Sequence, residues 1–268
     1  MTPHRRHERC PPAAALVRRP ARHLAEAELT HLARQPVDPD RAASQHTAYV
    51  EVLRQYGVAV RHLPAAPSHP DGVFVEDVVV AVGGLAIVTR PGAASRRGET
   101  AGLEPILAAM GLEVVTVEPP ATLDGGDVLQ IGTCVYVGRS SRTNDAAVEQ
   151  LRRWLVPLGR TVVPVDVTGA LHLKTAVTAL PDGELVARPD CVDLAPFGPR
   201  PILVAPEPTG ADVLLLDDLV VVSASAPRTA EEIAGRGFEV VAVAIDELEK
   251  LEAGPTCLSV LLTDAQPT

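Results

Sequence analysis

Short apolar segments recur in pairs along this chain, and a turn joins the two members of each pair. The first two pairs occupy 78–82 with 85–89, and 127–131 with 134–137. Runs of β-branched and aliphatic residues that are bounded by glycine are typical of hairpin strands. After each pair the pattern predicts a helix that stops at a glycine and then a third strand, at 99–110 with 113–117 and at 144–158 with 161–165. The chain therefore predicts a repeated strand–strand–helix–strand unit.

Three further units complete this pattern. They are 176–180 with 184–187; 212–216 with 219–223, followed by a helix at 229–236 and a strand at 238–245; and 257–262, joined by an N-terminal strand at 14–18. The last pairing would close five repeats into a ring and remove the open edge that a sheet must otherwise protect. We therefore expect one domain over residues 13–268, preceded by a disordered, basic and proline-rich tail at 1–12.

Polar residues stand near the start of the units at almost regular intervals. Glu76 and Asp124 are 48 residues apart, and so are Asp124 and His172. Cys257 follows His172 by 85 residues, with Ala211-Asp212-Val213 between them, which leaves room for two shorter units. In a closed ring, equivalent positions of the repeats converge at the centre. The spacing therefore predicts that acids, a histidine and a cysteine share one pocket.

Composition narrows the function. Hydrophobic residues make up 46% of the chain, which excludes a disordered protein, and the formal charge of −10 argues against a nucleic-acid partner, which would need a basic face. The four cysteines form no CxxC pair, so neither a disulfide framework nor a structural zinc module is expected. The longest apolar run has 11 residues, too few to span a membrane. We expect a cytoplasmic protein with reduced thiols and no membrane partner.

Taken singly, the polar residues have ordinary structural interpretations. Free cysteine is among the most often buried residue types, so Cys257 could belong to the core, although the preceding Gly-Pro-Thr places it where a loop meets a strand. His172 could be a structural histidine, and one aspartate of Asp124-Gly125-Gly126-Asp127 could serve only the turn. Of Glu76 and Asp77, one could face solvent. Together, a thiolate, a histidine and acids nevertheless suit nucleophilic catalysis.

Six stretches carry longer motifs. They are Phe74-Val75-Glu76-Asp77, Thr89-Arg90-Pro91-Gly92-Ala93-Ala94-Ser95-Arg96-Arg97, Leu123-Asp124-Gly125-Gly126-Asp127, Gly138-Arg139-Ser140-Ser141-Arg142-Thr143-Asn144, Leu171-His172-Leu173-Lys174 and Thr256-Cys257-Leu258-Ser259-Val260. In these stretches the chain resembles the dimethylarginine dimethylaminohydrolase family of the guanidino-modifying superfamily, which also holds amidinotransferases and arginine deiminases. The resemblance implies an α/β fold, a five-bladed α/β propeller (pentein) of pseudo-fivefold ββαβ repeats.

The resemblance also implies a role for each catalytic candidate. Cys257 would attack the guanidinium carbon of an N-methylated arginine. His172 would protonate the departing methylamine or dimethylamine and then deprotonate the water that releases citrulline. Asp124 would orient His172 and favour its charged form. Glu76 and Asp77 would bind the guanidinium group, which stays protonated at neutral pH.

Further residues would bind the amino-acid end of the substrate. The resemblance assigns the α-amino group to Asp71, the carboxylate to Arg96 and Arg142, and further contacts to the backbone carbonyls of Leu29 and Leu251. The implied partner is a small molecule, free methylated arginine. The protein would act without a cofactor, as a monomer or a homodimer.

Two other functions stay open on the sequence alone. A sister activity, such as deimination of arginine or agmatine, would use the same thiolate and histidine. A propeller without catalysis could instead bind a metal or another partner. No resident metal is expected, although zinc could bind Cys257 and His172 as an inhibitor, because thiolate and imidazole are ligands that zinc prefers.

Overall fold

Short strands and helices alternate along residues 14–262, which are described by a computed structural model. The tail expected at 1–12 lies outside the described residues. The strands are β1 (Ala14–Val17), β2 (Ala59–His62), β3 (Val79–Val82), β4 (Leu85–Val88), β5 (Glu113–Thr116), β6 (Val128–Ile131), β7 (Cys134–Arg139), β8 (Thr161–Asp166), β9 (Val177–Ala179), β10 (Leu185–Ala187), β11 (Ile202–Val204), β12 (Leu214–Leu216), β13 (Leu219–Ser223), β14 (Glu239–Val243) and β15 (Val260–Leu262). The helices are α1 (Pro39–Gln55), α2 (Leu103–Ala109), α3 (Asp145–Leu155), α4 (Leu173–Ala176), α5 (Pro227–Gly235) and α6 (Asp246–Glu249). Within this part of the chain, no helix has the length and apolar character needed to cross a membrane.

The strands form five three-stranded sheets with one shared topology. In four of them an antiparallel hairpin is extended by a third strand that is parallel to the second: β3-β4-β5, β6-β7-β8, β9-β10-β11 and β12-β13-β14. The remaining sheet is discontinuous in sequence, because β15 pairs antiparallel with β1, and β2 lies parallel to β1. Ring closure by the N-terminal strand is thereby confirmed, and so is the five-bladed α/β propeller.

The helix predicted at 99–110 is wrong in its N-terminal part. Residues Ala94–Thr100 form a 3-10 helix, and α2 begins only after Gly102. Gly102 has a φ of 78°, a left-handed conformation that an α-helix cannot contain and that glycine adopts without steric cost. The predicted helix is therefore divided into two short elements.

Five of these strands and helices, α1, α4, α6, β2 and β11, were not predicted. The start of α1 does carry a sequence signal, because Pro39 occupies its first position and the Asp38 side chain accepts hydrogen bonds from the amides of Asp40 and Arg41. The sheet β9-β10-β11 has no long helix between β10 and β11. Four prolines lie within 188–201, and proline breaks an α-helix, so this connection holds only the short 3-10 helix Ala195–Phe197.

Buried aspartates join successive blades near the ring axis. Each stands in or beside the short turn before an inner strand, and its Oδ1 accepts a hydrogen bond from a backbone amide of the following blade. The pairs are Asp77 with Gly126 at 3.0 Å, Asp127 with Leu173 at 2.9 Å and Asp212 with Thr256 at 3.0 Å. We call Asp77, Asp127 and Asp212 the axial aspartates. Their hydrogen bonds hold the polar turns of neighbouring blades together.

Aliphatic side chains fill the space between the sheets and the helices that cover them. The side chains of Leu151 and Leu155 in α3 are completely buried, in one cluster with Val135 and Val137 of β7. Burial of these residues fixes α3 on the outer face of its blade. The cluster therefore supports the sheet that leads to the turn at Asp127.

Leu151→Ala should lower the free energy of unfolding by about 2–5 kcal/mol, because it leaves a cavity under α3. Leu158→Ala is the matched control, since it removes the same atoms from a side chain that is 51% exposed. This control should change stability by less than about 0.5 kcal/mol. Urea unfolding followed by circular dichroism measures both values. Equal losses would contradict the packing of α3 described above.

Candidate active site

The polar turns meet at a small cavity near the ring axis. Seven of the ten residues proposed from sequence line it: Asp71, Asp77, Arg96, Arg142, His172, Leu251 and Cys257. Glu28 also lines the cavity, beside the predicted Leu29. The ring thus brings together residues from four blades, as the spacing of the polar stretches predicted.

Cys257 lies in the 3-10 turn Pro255–Leu258, directly before β15. Its side chain is buried in a hydrophobic cluster and also lines the cavity. Cys257 is therefore both a core residue and a residue of the candidate site. The amide of Gly254 donates a hydrogen bond to Sγ at 3.4 Å. Burial raises the pKa of the thiol, and negative charge raises it further, on Asp212 whenever that acid is ionised and on Glu76. With no ligand present, Cys257 is therefore a neutral thiol at pH 7.

His172 caps the start of α4 and is held between two carboxylates. Its Nε2 lies 3.1 Å from Oδ2 of Asp124, and its Nδ1 lies 3.7 Å from Oδ1 of Asp77. Burial alone would lower the pKa of His172, but the charge of Asp77 and the hydrogen bond with Asp124 outweigh it and raise the pKa to about 9. His172 is therefore an imidazolium at neutral pH, ready to donate a proton.

Asp124 is completely buried behind His172. Its Oδ1 accepts a hydrogen bond from the amide of Gly92 at 2.8 Å, which leaves Oδ2 for His172. Gly126 permits this close approach, since a Cβ there would lie 2.6 Å from Nδ1 of His172. The two glycines of the Asp-Gly-Gly-Asp motif thus serve packing as well as turn geometry.

Arg96 lies inside a buried ion network. Its Nη1 is 2.6 Å from Oδ2 of Asp77, and its Nε and Nη2 each lie 3.0 Å from the carboxylate of Glu99. Burial alone would raise the pKa of Asp77, but His172 and Arg96 lower it to about 2. Asp77 therefore stays ionised in the cavity. The assignment of Arg96 to the substrate carboxylate remains a prediction, because two protein carboxylates already bind its guanidinium.

A loop at 28–32 borders the cavity, and the side chains of Asp71 and Arg142 hold it in place. Both carboxylate oxygens of Asp71 lie 3.2 Å from the amide of Glu28. Burial raises the pKa of Asp71 to about 6, against the opposing charge of Arg96. Nη2 of Arg142 donates to Oγ1 of Thr30 at 2.9 Å. The half-buried Leu29 lies between these two contacts, so its backbone is held close to the cavity.

Glu76 does not line this cavity. Its Oε1 is 2.5 Å from Nζ of Lys174, its Oε2 is 2.9 Å from Oγ1 of Thr256, and it borders a separate cavity instead. Asp77 is therefore the better placed of the two acids to meet a guanidinium group. The role of Glu76 as a direct ligand remains a prediction.

One group of side chains in the described part of the chain could hold a metal ion: Asp77, Asp124 and His172. Two of its members are already engaged, because Asp77 binds Arg96 and Asp124 binds His172. Cys257 is not in the group. Inhibition by zinc at Cys257 and His172 therefore stays a prediction.

Glu252 is a site residue that the sequence did not reveal. Its carboxylate accepts hydrogen bonds from the amides of Thr30 at 2.9 Å, His31 at 2.5 Å and Leu32 at 2.7 Å. Glu252 also has a φ of 65°, an uncommon conformation for a residue other than glycine. It follows Leu251 directly, so one acid ties the loop at 28–32 to the segment that carries the predicted carbonyl of Leu251.

Comparison with known proteins identifies close relatives. Residues 31–182 match the family model described as "N,N dimethylarginine dimethylhydrolase, eukaryotic". The chain is 50% identical over 255 residues to the N(G),N(G)-dimethylarginine dimethylaminohydrolase of Streptomyces coelicolor, which covers 95% of this chain and 98% of the relative. It is 34% identical over 247 residues to the Pseudomonas aeruginosa protein of the same name, with 91% and 97% coverage.

Solved structures agree with these relatives. A cysteine-to-serine variant of the Pseudomonas aeruginosa protein in complex with citrulline superposes with a TM-score of 0.85 at 33% identity, over 93% of this chain and 99% of that one. The N-terminal domain of the cyanobacterial arginine dihydrolase ArgZ superposes with a TM-score of 0.83 at 18% identity, over 94% and 98%. At that identity, the ArgZ likeness shows the fold alone.

Glu252→Ala should release the loop at 28–32, because three amides lose their shared acceptor. Hydrogen exchange at residues 30–32, measured by mass spectrometry, should accelerate by about ten-fold or more. Glu249→Ala is the control, since Glu249 is on the same segment but binds Ser223 and Ser225 instead of the loop. Unchanged exchange at 30–32 in Glu252→Ala would contradict this role of Glu252.

Proposed function

Because this chain belongs to the dimethylarginine dimethylaminohydrolase family, we propose that it hydrolyses free N-omega-methylated arginine to citrulline and methylamine or dimethylamine. One observation supports this most directly. Cys257, the His172 imidazolium and the ionised Asp77 line the same cavity, which joins a nucleophile, an acid and a cation-binding group.

The charge of the cavity suits a guanidinium substrate. A guanidinium group is protonated throughout the physiological range, so it needs an acid that stays ionised beside it. Asp77 is such an acid, since its pKa is held near 2. Binding would place the substrate cation where carboxylates surround the thiol. The added positive charge lowers the pKa of Cys257, so the thiol loses its proton to solvent and the nucleophile forms only when its target is present.

His172 supplies the proton transfers. The Cys257 thiolate attacks the guanidinium carbon, and the tetrahedral adduct collapses when the imidazolium donates its proton to the methylated nitrogen. The amine leaves, and a covalent thiouronium remains on Cys257. Neutral His172 then takes a proton from the attacking water, which restores the imidazolium. The new tetrahedral adduct breaks its C–S bond, so citrulline leaves and the hydroxyl proton returns to Cys257 as the thiol. Asp124 stabilises the charged ring at both stages through Oδ2.

The amino-acid end of the substrate would lie under the loop at 28–32. Asp71 and the backbone carbonyls of Leu29 and Leu251 would accept from the α-ammonium group. Arg142 would bind the carboxylate, and it is better placed than Arg96, whose guanidinium is bound by Asp77 and Glu99. The substrate is therefore a free amino acid.

We also propose that this activity belongs to the cytoplasm and to one domain over residues 13–268. The protein would act as a monomer or a homodimer and would need no cofactor. Free Cys134, Cys191 and Cys257 in the described residues support a reducing compartment. The net charge of −10 supports a small cationic substrate and disfavours a nucleic-acid partner.

The purified protein should release citrulline from monomethyl or asymmetric dimethyl arginine, and Cys257→Ser should abolish this because a hydroxyl is not ionised at neutral pH. Citrulline formation from methylarginines and arginine, and carbamoylputrescine formation from agmatine, measure activity and specificity together. Cys134→Ser is the control and should keep full turnover, since Cys134 lies at the start of β7, away from the cavity. Faster turnover of agmatine or arginine than of methylarginines would overturn the proposal.

Arg142→Ala should reduce kcat/KM for methylarginine by about ten- to hundred-fold, the value of a lost charge-assisted hydrogen bond. The carboxamide of methylarginine carries no carboxylate charge, so its kcat/KM should change by less than about three-fold. Arg139→Ala is the matched control, because Arg139 lies nearby but is exposed and pairs with Asp166. Equal losses for both substrates would mean that Arg142 holds the loop through Thr30 and does not bind the carboxylate.

A further inference from the structure

The hydroxyl of Thr256, next to Cys257, lies between two buried carboxylates. Its Oγ1 is 2.9 Å from Oε2 of Glu76 and 3.2 Å from Oδ2 of Asp212. The amide of Thr256 donates to Oδ1 of Asp212 at 3.0 Å. All three side chains are more than nine-tenths buried. Asp212 stood out in the sequence among the polar stretches, and neither the catalytic steps nor substrate binding uses it.

One hydroxyl cannot donate a full hydrogen bond to two carboxylates. Thr256 has a single hydroxyl proton and two lone pairs, so it can donate to one acid and accept from the other. Lys174 decides between them. Burial raises the pKa of Glu76, but the ammonium of Lys174 contacts Glu76 and opposes that rise, so Glu76 is the acid that more readily holds the negative charge. The Thr256 proton therefore goes to Glu76. Oδ2 of Asp212 then faces a lone pair of Oγ1, a contact that is favourable only when Oδ2 itself carries a proton.

The charged and titratable groups around Asp212 agree with this assignment. A negative charge on Asp212 would be repelled by Glu76 and would disfavour ionisation of Cys257. Tyr49 is a buried neutral phenol, and Lys174, the one cation that acts on Asp212 among the described residues, is bound by Glu76. Burial raises the pKa of Asp212 to about 7, and the charge of Glu76 adds to that rise. Two close carboxylates do not both ionise readily in a dry site.

Asp212 also packs directly on the backbone of the nucleophile's turn. A Cβ at Gly254 would lie 2.2 Å from Cγ of Asp212, so the carboxyl group occupies the space beside that glycine. The acid comes from one blade and the turn from the next. The position of the Asp212 carboxyl group therefore helps to decide where the Cys257 turn lies.

We propose that Asp212 is a positioning residue that holds the Cys257 turn as a neutral carboxylic acid. Its Oδ1 accepts from the amide of Thr256, its Oδ2–H donates to Oγ1 of Thr256, and that hydroxyl donates to Glu76. A neutral acid fixes the turn without placing another negative charge beside the thiol, which would raise the pKa of Cys257 further. The consequence for catalysis rests on the proposed role of Cys257 as nucleophile, whereas the proton on Asp212 does not.

Asp212→Asn tests the proton, because asparagine reproduces the donor and acceptor of a neutral acid. At pH 6 this variant should keep kcat/KM within about three-fold, and the rate of Cys257 alkylation by iodoacetamide at that pH should be unchanged. Asp212→Ala should lower kcat by about ten- to hundred-fold with little change in KM, since the turn loses its support. Asp166→Asn, which alters an exposed carboxylate, should match the wild type.

Infrared difference spectra report the protonation of Asp212 directly, which a purely structural role would not require. The wild type minus Asp212→Asn spectrum at pH 6 should contain the carbonyl band of a protonated carboxylic acid. Absence of that band overturns the proposal, and so does faster alkylation of Cys257 at pH 6 in Asp212→Asn, because either result means that an ionised group was removed. If the band is present but the wild type does not turn over methylarginine, the proton assignment stands and the proposed function fails.

Discussion

The hydrogen bond from a backbone amide to an axial aspartate of the preceding blade is the interaction on which this structure depends. A carboxylate in a dry interior is strongly destabilising unless amides, hydroxyls or cations compensate it. In this ring the compensating amides belong to the neighbouring blade, as in the contact of Asp127 with Leu173 beside His172. The contacts that join the blades are therefore the same contacts that set the catalytic turns.

This arrangement concentrates acids in one place, and the concentration controls ionisation there. His172 is kept charged although it is buried, and Cys257 is kept a neutral thiol. The negative potential of the surrounding carboxylates acts against burial at His172 and adds to the effect of burial at Cys257. A cation that enters the cavity reverses that potential locally, so the substrate supplies the charge that the resting site lacks.

Much of this site was predictable from the sequence because repeats place equivalent positions together. His172, Asp124, Asp77 and Cys257 belong to motifs at the start of successive units, and a closed ring can only bring them to its centre. Their detailed partners were less accessible. Glu76 and Asp77 are adjacent in sequence, yet Lys174 draws one away from the cavity while Arg96 holds the other in it.

Other features could not be read from a local pattern at all. The side chain of Glu252 binds the amide of Thr30, which lies more than two hundred positions earlier in the sequence. No periodicity in the sequence predicts such a contact. The helix predicted at 99–110 was divided by Gly102, whose left-handed conformation is allowed by the sequence but not required by it. Long-range side-chain contacts and optional glycine conformations are settled by tertiary packing.

The sheet that joins β1 to β15 has a consequence for the order in which the molecule forms. β15 follows every other described strand, and the Cys257 turn directly precedes it, so a ribosome makes four blades before Cys257 emerges. The pairing of β1 with β15 also has the greatest sequence separation of any strand pair in the described part of the chain, and the entropy of closing so long a loop delays it. A nascent chain therefore holds most of the propeller before Cys257 reaches the cavity. The lining of the cavity is complete only when the ring closes.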